Sequence, residues 1–382
     1  MRIEPFAVER WMDAHETACT FNCAETCVDS VTLEELMRLA GEAPEALAAR
    51  LLPLKLSYGE IPGSQEVRCA IASLYPGRGA SDVLVTHGAI GANHLLYSAL
   101  VGPGDEVVAL VPNYQQHTAI PEALGAVVRR LPLRREDGYL PDLGALAALV
   151  TPSTRVICYS NPNNPTGALM DAATQRAILR IAAERGGPRC YVLADEVYRG
   201  IDQQGDDLGE SVATIDPRRG VSVSSMSKAF AMAGVRLGWV VGPPEVLREV
   251  MTHRDYSTIS VGVVDDTLAA LALGPRCLGP LLARNRAVVR SNAALLDGFV
   301  ARHAGRVSWV RPGGGTVALL HYDLPGQLSS EELCTRLLQE TGVLLVPGST
   351  FGVEGAVRVG FGNTTEALRA GLAALSRFLE AA

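Results

Sequence analysis

Apolar runs and amphipathic stretches alternate through the middle of the chain. Runs rich in β-branched residues predict strands at 83–86, 107–111, 156–159, 191–194, 221–224 and 239–241. Several of these runs are apolar throughout, as is typical of strands that are covered on both faces. Between them, a stretch such as 171–185 places Ile178, Leu179 and Ala182 on one side of a helix. The alternation predicts an α/β fold with a mostly parallel central sheet and helices on both faces.

The C-terminal part of the chain has a different pattern, with strands among turns and two capped helices. Its predicted strands are at 307–310, 317–321, 343–346 and 357–359. Ser329 and Glu332 form the capping box of one helix, Thr364 opens the other, and Thr32 caps a helix near the N-terminus. We therefore expect a large domain and a smaller α+β domain joined by a long helical stretch. The large domain is predicted at 41–280, the small one at 1–40 with 281–382, and the helical stretch at 281–303.

The chain has 382 residues, of which 48% are hydrophobic, enough to bury a substantial core. Its formal charge of −7 argues against nucleic acid or an anionic membrane as a partner and leaves room for a small basic pocket. No apolar run approaches the roughly 18–20 residues that a membrane-spanning helix needs, and the first residues lack the apolar core of a signal peptide. We expect a cytoplasmic protein with no nucleic-acid or membrane partner.

Eight cysteines are spread over the chain, and only Cys19, Cys23 and Cys27 lie close together in sequence. A metal site typically has cysteines paired two residues apart or several nearby histidines, and His15 alone does not complete one. Reduced thiols that act as small hydrophobic side chains are the simpler interpretation. The sequence therefore predicts neither a metal site nor a disulfide.

The most informative residue is Lys228, which follows a predicted strand in the segment Ser-Ser-Met-Ser-Lys-Ala-Phe at 224–230. A single lysine at such a turn is often a solvated surface residue. Here its neighbours are small and apolar, which is expected to lower the pKa of the amine and to suit the formation of a Schiff base. Ser225 and Arg236 add a hydroxyl and a fixed cation, which together suit a phosphate.

Three further segments follow predicted strands. Asp195 ends an apolar strand, where α/β sheets bind ligands, and it is suited either to hold the proton of a pyridinium ring or to cap a helix. The segment Asn-Pro-Asn-Asn-Pro-Thr-Gly at 161–167 is also compatible with a plain tight turn. The segment Thr-His-Gly-Ala-Ile-Gly-Ala at 86–92 begins a helix whose backbone amides can bind a phosphate. Each segment taken alone has an ordinary structural explanation.

Taken together and in this order, the four segments resemble those of the pyridoxal-phosphate-dependent aminotransferases of classes I and II, which have fold type I. The resemblance extends from about residue 56 to residue 358 and thus covers nearly the whole chain. It implies the fold of that family, pyridoxal 5'-phosphate as the cofactor, and an amino-acid substrate that reacts through an external aldimine. It also implies a homodimer, because one of the matched tyrosines acts across the subunit interface in that family.

The resemblance implies a role for each matched residue around the cofactor ring. Lys228 resembles the lysine that bonds to the cofactor and then moves a proton between the substrate α-carbon and the cofactor C4′. Asp195 matches the partner of the ring nitrogen, and Asn164 and Tyr198 match the donors to the 3′-oxygen of the ring. Tyr114 matches the aromatic side chain that stacks on the ring. Lys228, Asp195 and Tyr198 are the catalytic residues that the resemblance implies.

A phosphate site and a carboxylate site are implied as well. The phosphate site is formed by Gly88, Ala89, Ile90, Ser225 and Arg236. Tyr58, in the segment Tyr-Gly-Glu-Ile-Pro-Gly, resembles the tyrosine that reaches the phosphate from the other subunit. Arg358 matches the arginine that binds the substrate α-carboxylate with two hydrogen bonds, and Asn164 is a further substrate contact.

One segment departs from the family pattern. The loop before the first helix usually contains a glycine whose backbone helps hold the substrate carboxylate, whereas residues 22–28 contain no glycine and carry Glu25. This segment and residues 255–260 are similar to a subgroup that contains the capreomycidine synthases, which convert a hydroxylated arginine into a cyclic amino acid. Glu25 is either a surface acid, a contact of the helix capped by Thr32, or a substrate-binding residue for a cationic far end such as a guanidinium.

The sequence thus predicts a pyridoxal-phosphate-dependent enzyme, with transamination as the leading reaction. The alternative is elimination, replacement or cyclisation of a modified, possibly arginine-like amino acid in specialised metabolite biosynthesis. A third interpretation is that the protein is not an enzyme but a ligand sensor, like the aminotransferase-shaped domains of certain transcription regulators. Those regulators carry an N-terminal DNA-binding domain, and the roughly fifty-five residues before the first cofactor motif contain no basic helix.

Overall fold

The computed structural model describes residues 2–326 and 328–381. Its helices are α1 (Ala7–His15), α2 (Leu33–Leu39), α3 (Glu45–Leu51), α4 (Gln65–Ala72), α5 (Gly88–Leu100), α6 (Gln116–Ala123), α7 (Leu143–Leu149), α8 (Ala172–Arg185), α9 (Val212–Ile215), α10 (Pro244–Asp255), α11 (Val263–Leu273), α12 (Leu278–Arg302), α13 (Ser330–Thr341) and α14 (Thr365–Ala381). Its strands are β1 (Phe21–Asn22), β2 (Val83–Thr86), β3 (Glu106–Val111), β4 (Val127–Pro132), β5 (Thr154–Ser160), β6 (Tyr191–Asp195), β7 (Gly220–Ser225), β8 (Gly238–Val241), β9 (Val307–Trp309), β10 (Val317–Tyr322), β11 (Val343–Leu344), β12 (Val346–Pro347) and β13 (Ala356–Gly360).

The large sheet has the strand order β2-β8-β7-β6-β5-β3-β4. β8 runs antiparallel to both of its neighbours, and the other neighbouring strands are parallel. All six strands predicted for the middle of the chain lie in this sheet. All residues of β6 and β7 are buried, as is typical of parallel strands that are covered on both faces. The mostly parallel α/β fold is therefore confirmed.

β4 is the strand of the large sheet that the sequence pattern did not predict. It lies at the sheet edge, and most of its side chains are exposed or half-buried. It carries Arg129 and Arg130 in the middle, and Arg129 Nη2 donates to Glu106 Oε1 on β3 over 2.6 Å. An edge strand with charged residues shows neither an apolar run nor a regular alternation, which is why the pattern misses it.

The smaller antiparallel sheet has the order β12-β13-β10-β9 and includes the strands predicted at 307–310, 317–321 and 357–359. The strand predicted at 343–346 is two short strands with different partners. β11 pairs in parallel with β1, and β12 pairs with β13. The N-terminal segment therefore joins the C-terminal part of the chain, and the indole of Trp11 on α1 reinforces this contact by donating to Leu345 O over 2.9 Å. The division of the chain at 41–280 and the remaining residues stays a prediction.

The predicted helix starts are found where the capping residues place them. Thr32 Oγ1 accepts from the backbone of Glu35 at the start of α2, and Ser329 and Glu332 form a reciprocal capping box at the start of α13. α12 has 25 residues and corresponds to the long helical stretch expected at 281–303. All eight cysteines are free thiols. Within residues 2–326 and 328–381, no helix is both long and apolar enough to cross a membrane.

Apolar side chains cover both faces of the large sheet. Leu193 and Val223 pack in the cluster on one side, and Ile157 and Val192 pack in the cluster on the other. The carboxyl ends of β5, β6 and β7 lie at one edge, where polar residues follow each strand. In sheets of this kind, ligands bind beyond the carboxyl ends of the strands.

Candidate active site

A cavity of about 390 Å³ lies beyond the carboxyl ends of β5, β6 and β7. All but two of the residues predicted for the site border it: Glu25, Ala89, Ile90, Tyr114, Asn164, Asp195, Tyr198, Ser225, Lys228, Arg236 and Arg358. Gly88 lies at its edge, where a Cβ would be 3.0 Å from Arg236 Nη2. Tyr58 lies outside the cavity, with 74% of its surface exposed. Residues that are up to 333 positions apart in sequence thus meet at one place.

Lys228 lies in the turn after β7, and its amine is within the cavity. Nζ donates hydrogen bonds to Thr26 Oγ1 and, over 3.3 Å, to Cys27 Sγ. The surroundings differ from the apolar ones expected from sequence, and the prediction of a lowered pKa is wrong. Burial lowers the pKa of the amine. Cys27, Tyr198 and Glu25 raise it by more than burial lowers it, so the net shift of the pKa is upward.

Asp195 ends β6 and is almost fully buried. Its Oδ2 accepts from Asn93 Nδ2 over 3.0 Å and lies 3.7 Å from His117 Nε2, an ion-pair distance. Its Oδ1 accepts from the backbone of Val197 over 3.3 Å within a turn. No helix begins at this turn, so the interpretation of Asp195 as a helix cap is wrong. Asn93 and His117 were missed by sequence reasoning, because neither lies in a motif.

His117 is the second titratable group beside this carboxylate. Burial lowers its pKa, but Asp195 and Cys158 raise it more, to about 9. The other ring nitrogen, Nδ1, lies 2.8 Å from the hydroxyl of Tyr97. The imidazole is therefore held between the hydroxyl of Tyr97 and the carboxylate of Asp195.

Three residues that border the cavity each have a buried polar atom with no hydrogen-bond partner in residues 2–326 and 328–381. These atoms are the hydroxyl of Tyr198, the Nε of Arg358 and the Oδ1 of Asn93. The other guanidinium nitrogens of Arg358 donate over 3.2 Å each, to Asn164 Oδ1 and to Ala24 O. Burial lowers the pKa of Arg358. Buried donors without partners are uncommon and costly, so an oxygen-rich ligand would complete the site.

Several groups that suit an anion lie where α5 begins. Ala89 and Ile90 of its first turn border the cavity, as do Ser225 and Ser227. Arg236 Nη1 lies 3.4 Å from Ser227 Oγ, and Arg236 has a left-handed backbone with φ of 53°. Free backbone amides of a helix start, hydroxyls and a guanidinium together suit a phosphate.

Acidic residues also border the cavity. Glu25 Oε1 accepts from the backbone of Thr26 and of Cys27 over 2.7 Å each. Burial raises the pKa of Glu25, but Lys228 and these amides lower it more. Glu25 is half-buried and borders the cavity, which supports its interpretation as a residue of the pocket.

Two more carboxylates border the same cavity, Glu9 of α1 and Glu16 just after it. Glu9 Oε1 accepts from the hydroxyl of Tyr114 over 2.6 Å. Burial and this carboxylate raise the pKa of Tyr114, which therefore stays protonated. Neither glutamate belongs to a recognisable motif, and only their place in the folded N-terminal segment identifies them.

The residues present fit pyridoxal 5'-phosphate. The start of α5 with Arg236 suits its phosphate, the carboxylate of Asp195 suits a ring nitrogen, and the unpartnered hydroxyl of Tyr198 suits a ring oxygen. Lys228 supplies the amine. Arg358 remains available for a second anionic group, such as a substrate carboxylate.

Comparison with known proteins gives a consistent result. The profile of the family described as aminotransferase class I and II matches residues 31–375. Capreomycidine synthase from Streptomyces vinaceus is 32% identical over 374 residues, which are 97% of this chain and 93% of that protein. Aspartate/prephenate aminotransferase from Thermus thermophilus is 30% identical over 88% of this chain and 86% of that protein. Arginine–pyruvate transaminase from Pseudomonas aeruginosa is 30% identical over 85% of this chain and 83% of that protein.

Solved structures include both kinds of enzyme. A PLP-dependent aminotransferase from Streptococcus suis superposes with a TM-score of 0.94 at 38% identity, covering 100% of this chain and 99% of that chain. The PLP-dependent cyclase OrfR superposes with a TM-score of 0.89 at 32% identity, covering 100% of this chain and 98% of that chain. Amino-group transfer and cyclisation are thus both found among similar proteins.

Proposed function

The chain belongs to the class I and II aminotransferases and is a pyridoxal-phosphate-dependent enzyme, and on this premise we propose that the cavity at Lys228 is its active site and that transamination of an amino acid is its reaction. The observation that supports the proposal most is the meeting of Lys228, Asp195 and Arg358 at one cavity. These three groups are the amine, the carboxylate and the carboxylate-binding cation that the reaction requires.

Each residue has a task that follows from its surroundings. Bound pyridoxal phosphate supplies an electron sink for the bonds at the substrate α-carbon. Asp195, held by Asn93 and His117, would keep a proton on the ring nitrogen. Tyr198 and Asn164 would donate to the 3′-oxygen of the ring.

The remaining residues would orient the reactants. Tyr114 would lie against the ring, with its hydroxyl fixed by Glu9. Arg358 would bind the α-carboxylate of the substrate with two hydrogen bonds, beside Asn164. Lys228 would move a proton from the substrate α-carbon to the cofactor C4′. The phosphate would be held by Gly88, Ala89, Ile90, Ser225 and Arg236.

A second candidate reaction is elimination or cyclisation of an amino acid with a cationic side chain. The observation in its favour is that three acidic residues, Glu9, Glu16 and Glu25, border the same cavity. A guanidinium is recognised well by carboxylates, because it presents paired donors. Arginine–pyruvate transaminase, whose name refers to arginine, and capreomycidine synthase are among the relatives.

A homodimer is proposed from a surface patch made of residues 52–61 and 256–264. Leu52, Leu56, Tyr58 and Tyr256 of this patch are each at least 74% exposed. The two segments are tied together by the guanidinium of Arg254, which donates to the carbonyls of Ile61 and Ile259. Exposed clusters of large apolar side chains are typical of an interface. In the family that the chain resembles, the tyrosine matched by Tyr58 reaches the phosphate from the other subunit, which also supports a dimer. A cytoplasmic location is also proposed, supported by the free thiols.

The experiment that tests the proposed reaction follows the amino nitrogen. Amino acids are screened for a spectral change of the bound cofactor, and active ones are supplied with a nitrogen isotope label together with a keto acid. Label recovered in a new amino acid supports transamination. Label retained in a cyclised or substituted product supports the second candidate. An enzyme that binds the cofactor but converts none of the amino acids would contradict both and favour a sensor.

A further inference from the structure

Residues from a distant part of the chain hold the amine of Lys228. Its two hydrogen-bond acceptors, Thr26 Oγ1 and Cys27 Sγ, belong to the loop 24–28. This loop replaces the glycine-containing loop that the family pattern has before the first helix. None of the roles that the resemblance implies uses these two side chains.

The loop 24–28 is fixed by contacts of its own backbone. Arg358 Nη2 donates to one of its carbonyls over 3.2 Å, and Thr316 Oγ1 donates to another over 2.5 Å. A Cβ at Gly362 would lie 2.0 Å from the Cys27 carbonyl oxygen, so only a glycine permits this close approach. The two acceptors are therefore already in position before any ligand binds.

The charges at this place favour the protonated amine. Apart from Lys228 itself, the titratable groups that face it are Cys27 and Glu25 of the loop and Tyr198, which follows β6. Burial raises the pKa of Cys27, so its thiol stays protonated, and Glu25 supplies the negative charge. A protonated lysine can donate three hydrogen bonds. The loop accepts two of these hydrogen bonds, through Thr26 Oγ1 and Cys27 Sγ.

We propose that Thr26 and Cys27 are positioning residues that receive the amine of Lys228 whenever it is not bonded to the cofactor. This inference rests on the proposed role of Lys228. A lysine that gives up the cofactor to a substrate must keep its free amine close to the α-carbon in order to move a proton there. A lysine side chain without partners loses that position readily, because its long, flexible side chain has many rotamers.

The cofactor-free full chain allows a direct test, because it contains only two lysines, Lys55 and Lys228. Lysine labelled with carbon-13 at the side chain gives two amine-linked NMR signals, and the exposed Lys55 serves as an internal reference. We expect Thr26→Val and Cys27→Ala each to lower the pKa of Lys228 and to make its signal that of a more mobile side chain. The signal of Lys55 stays unchanged. Cys69→Ala, which removes an exposed thiol, is the matched control.

Conservative variants distinguish positioning from a merely structural role. Thr26→Ser and Cys27→Ser keep an acceptor at the same place and should titrate like the parent. In the holoenzyme, Thr26→Val should lower kcat about tenfold with little change in KM, which corresponds to about 1.4 kcal/mol. Thr26→Ser should restore kcat.

Two results would overturn the inference. One is a titration of Lys228 that is the same in the parent, Thr26→Val and Cys27→Ala. The other is an equal loss in Thr26→Ser and Thr26→Val, because the loop would then matter only for packing. The titration needs neither cofactor nor substrate. Its outcome is therefore independent of whether transamination is the reaction, and failure of one proposal is distinguishable from failure of the other.

Discussion

At the scale of single residues, Asp195 has the most sharply defined surroundings, between Asn93 and His117. We expect Asp195→Ala to lower kcat/KM by about a hundredfold or more, because a group that stabilises developing charge in a buried site is typically worth that much. Steady-state kinetics measure the loss. Asp171→Ala, which removes the cap of α8 outside the cavity, should cost about 1 kcal/mol of stability and leave turnover unchanged. If Asp195→Ala turns over substrate nearly as fast as the parent, the carboxylate only stabilises the turn after β6 and is not needed for catalysis.

The charge on His117 predicts a dependence of stability on pH. Its pKa in the folded chain is about 9, above the ordinary 6.5, so its contribution to stability is complete below pH 6.5 and is lost as the pH rises through 9. The variant His117→Gln lacks this contribution. Urea unfolding of the cofactor-free chain should therefore show a stability difference between parent and variant that shrinks by roughly 3 kcal/mol between these pH values. A difference that stays constant over that range would show that His117 is not charged.

Glu25 allows a test of the acidic residues that border the cavity. Glu25→Gln removes the charge while its amide oxygen can still accept from the backbone of the loop. Binding of an arginine-like substrate should weaken by roughly 1.5–3 kcal/mol, the usual worth of a charged hydrogen bond, and that of neutral amino acids should change little. KM values of both substrate types are compared in parent, Glu25→Gln and the exposed control Glu34→Gln. Equal losses for the two substrate types would show that Glu25 does not recognise charge.

At the scale of elements, the close packing of the loop 24–28 on the end of β13 is the contact that shapes the cavity. Gly362→Ala would push a methyl group against the Cys27 carbonyl, and the loop must shift. We expect at least a tenfold loss of kcat/KM and about 1–3 kcal/mol of stability. Circular dichroism should report an intact large sheet.

The control for this change is Gly298→Ala, where an added methyl group meets open space on α12. It should stabilise the chain slightly or leave it unchanged, because alanine is the better helix former. Parent-like kinetics of Gly362→Ala would mean that the cavity tolerates a displaced loop.

Elements with a strong local signal were predicted well from sequence, and those that depend on tertiary pairing were not. The buried strands β6 and β7 and the capped helix α13 carry their signal in their own residues. β4 was missed because its edge position permits charged residues, and the predicted strand at 343–346 proved to be two because each half pairs with a different partner. The β-propensity of a segment can be read from its own residues, whereas strand pairing depends on the neighbouring strand in the fold.

The residues of the candidate site show the same difference between a local sequence signal and tertiary context. Residues in compact motifs, such as Lys228 and Asp195, were recognised at once from their spacing. Glu9, Asn93 and His117 lie alone on helices, and their sequence neighbours give no reason to single them out. Even the pKa of Lys228 was predicted in the wrong direction, because two of the groups that raise it, Cys27 and Glu25, are about two hundred positions away in sequence.

At the scale of the whole molecule, Tyr58 is the residue that has a task only if two chains associate. Mixing an inactive Tyr58→Phe variant with an inactive Lys228→Ala variant should restore activity, because a mixed dimer contains one site with both residues intact. Up to about a quarter of the parent activity is expected, since half of the dimers are mixed and each has one complete site. Activity and the fraction of mixed dimers are measured together. Mixed dimers without activity would place Tyr58 outside the partner's site.

The most direct test of the account is the chemical identity of the residue that bonds to the cofactor. The holoenzyme should absorb visible light, and reduction with borohydride should remove that band and leave the mass of the cofactor on one peptide. Because Lys55 is the only other lysine of the chain, the peptide map has two possible positions besides the N-terminal amine. The account predicts the label on Lys228 alone. A label on Lys55 or on the N-terminus, or a cofactor that reduction leaves unattached, would contradict it.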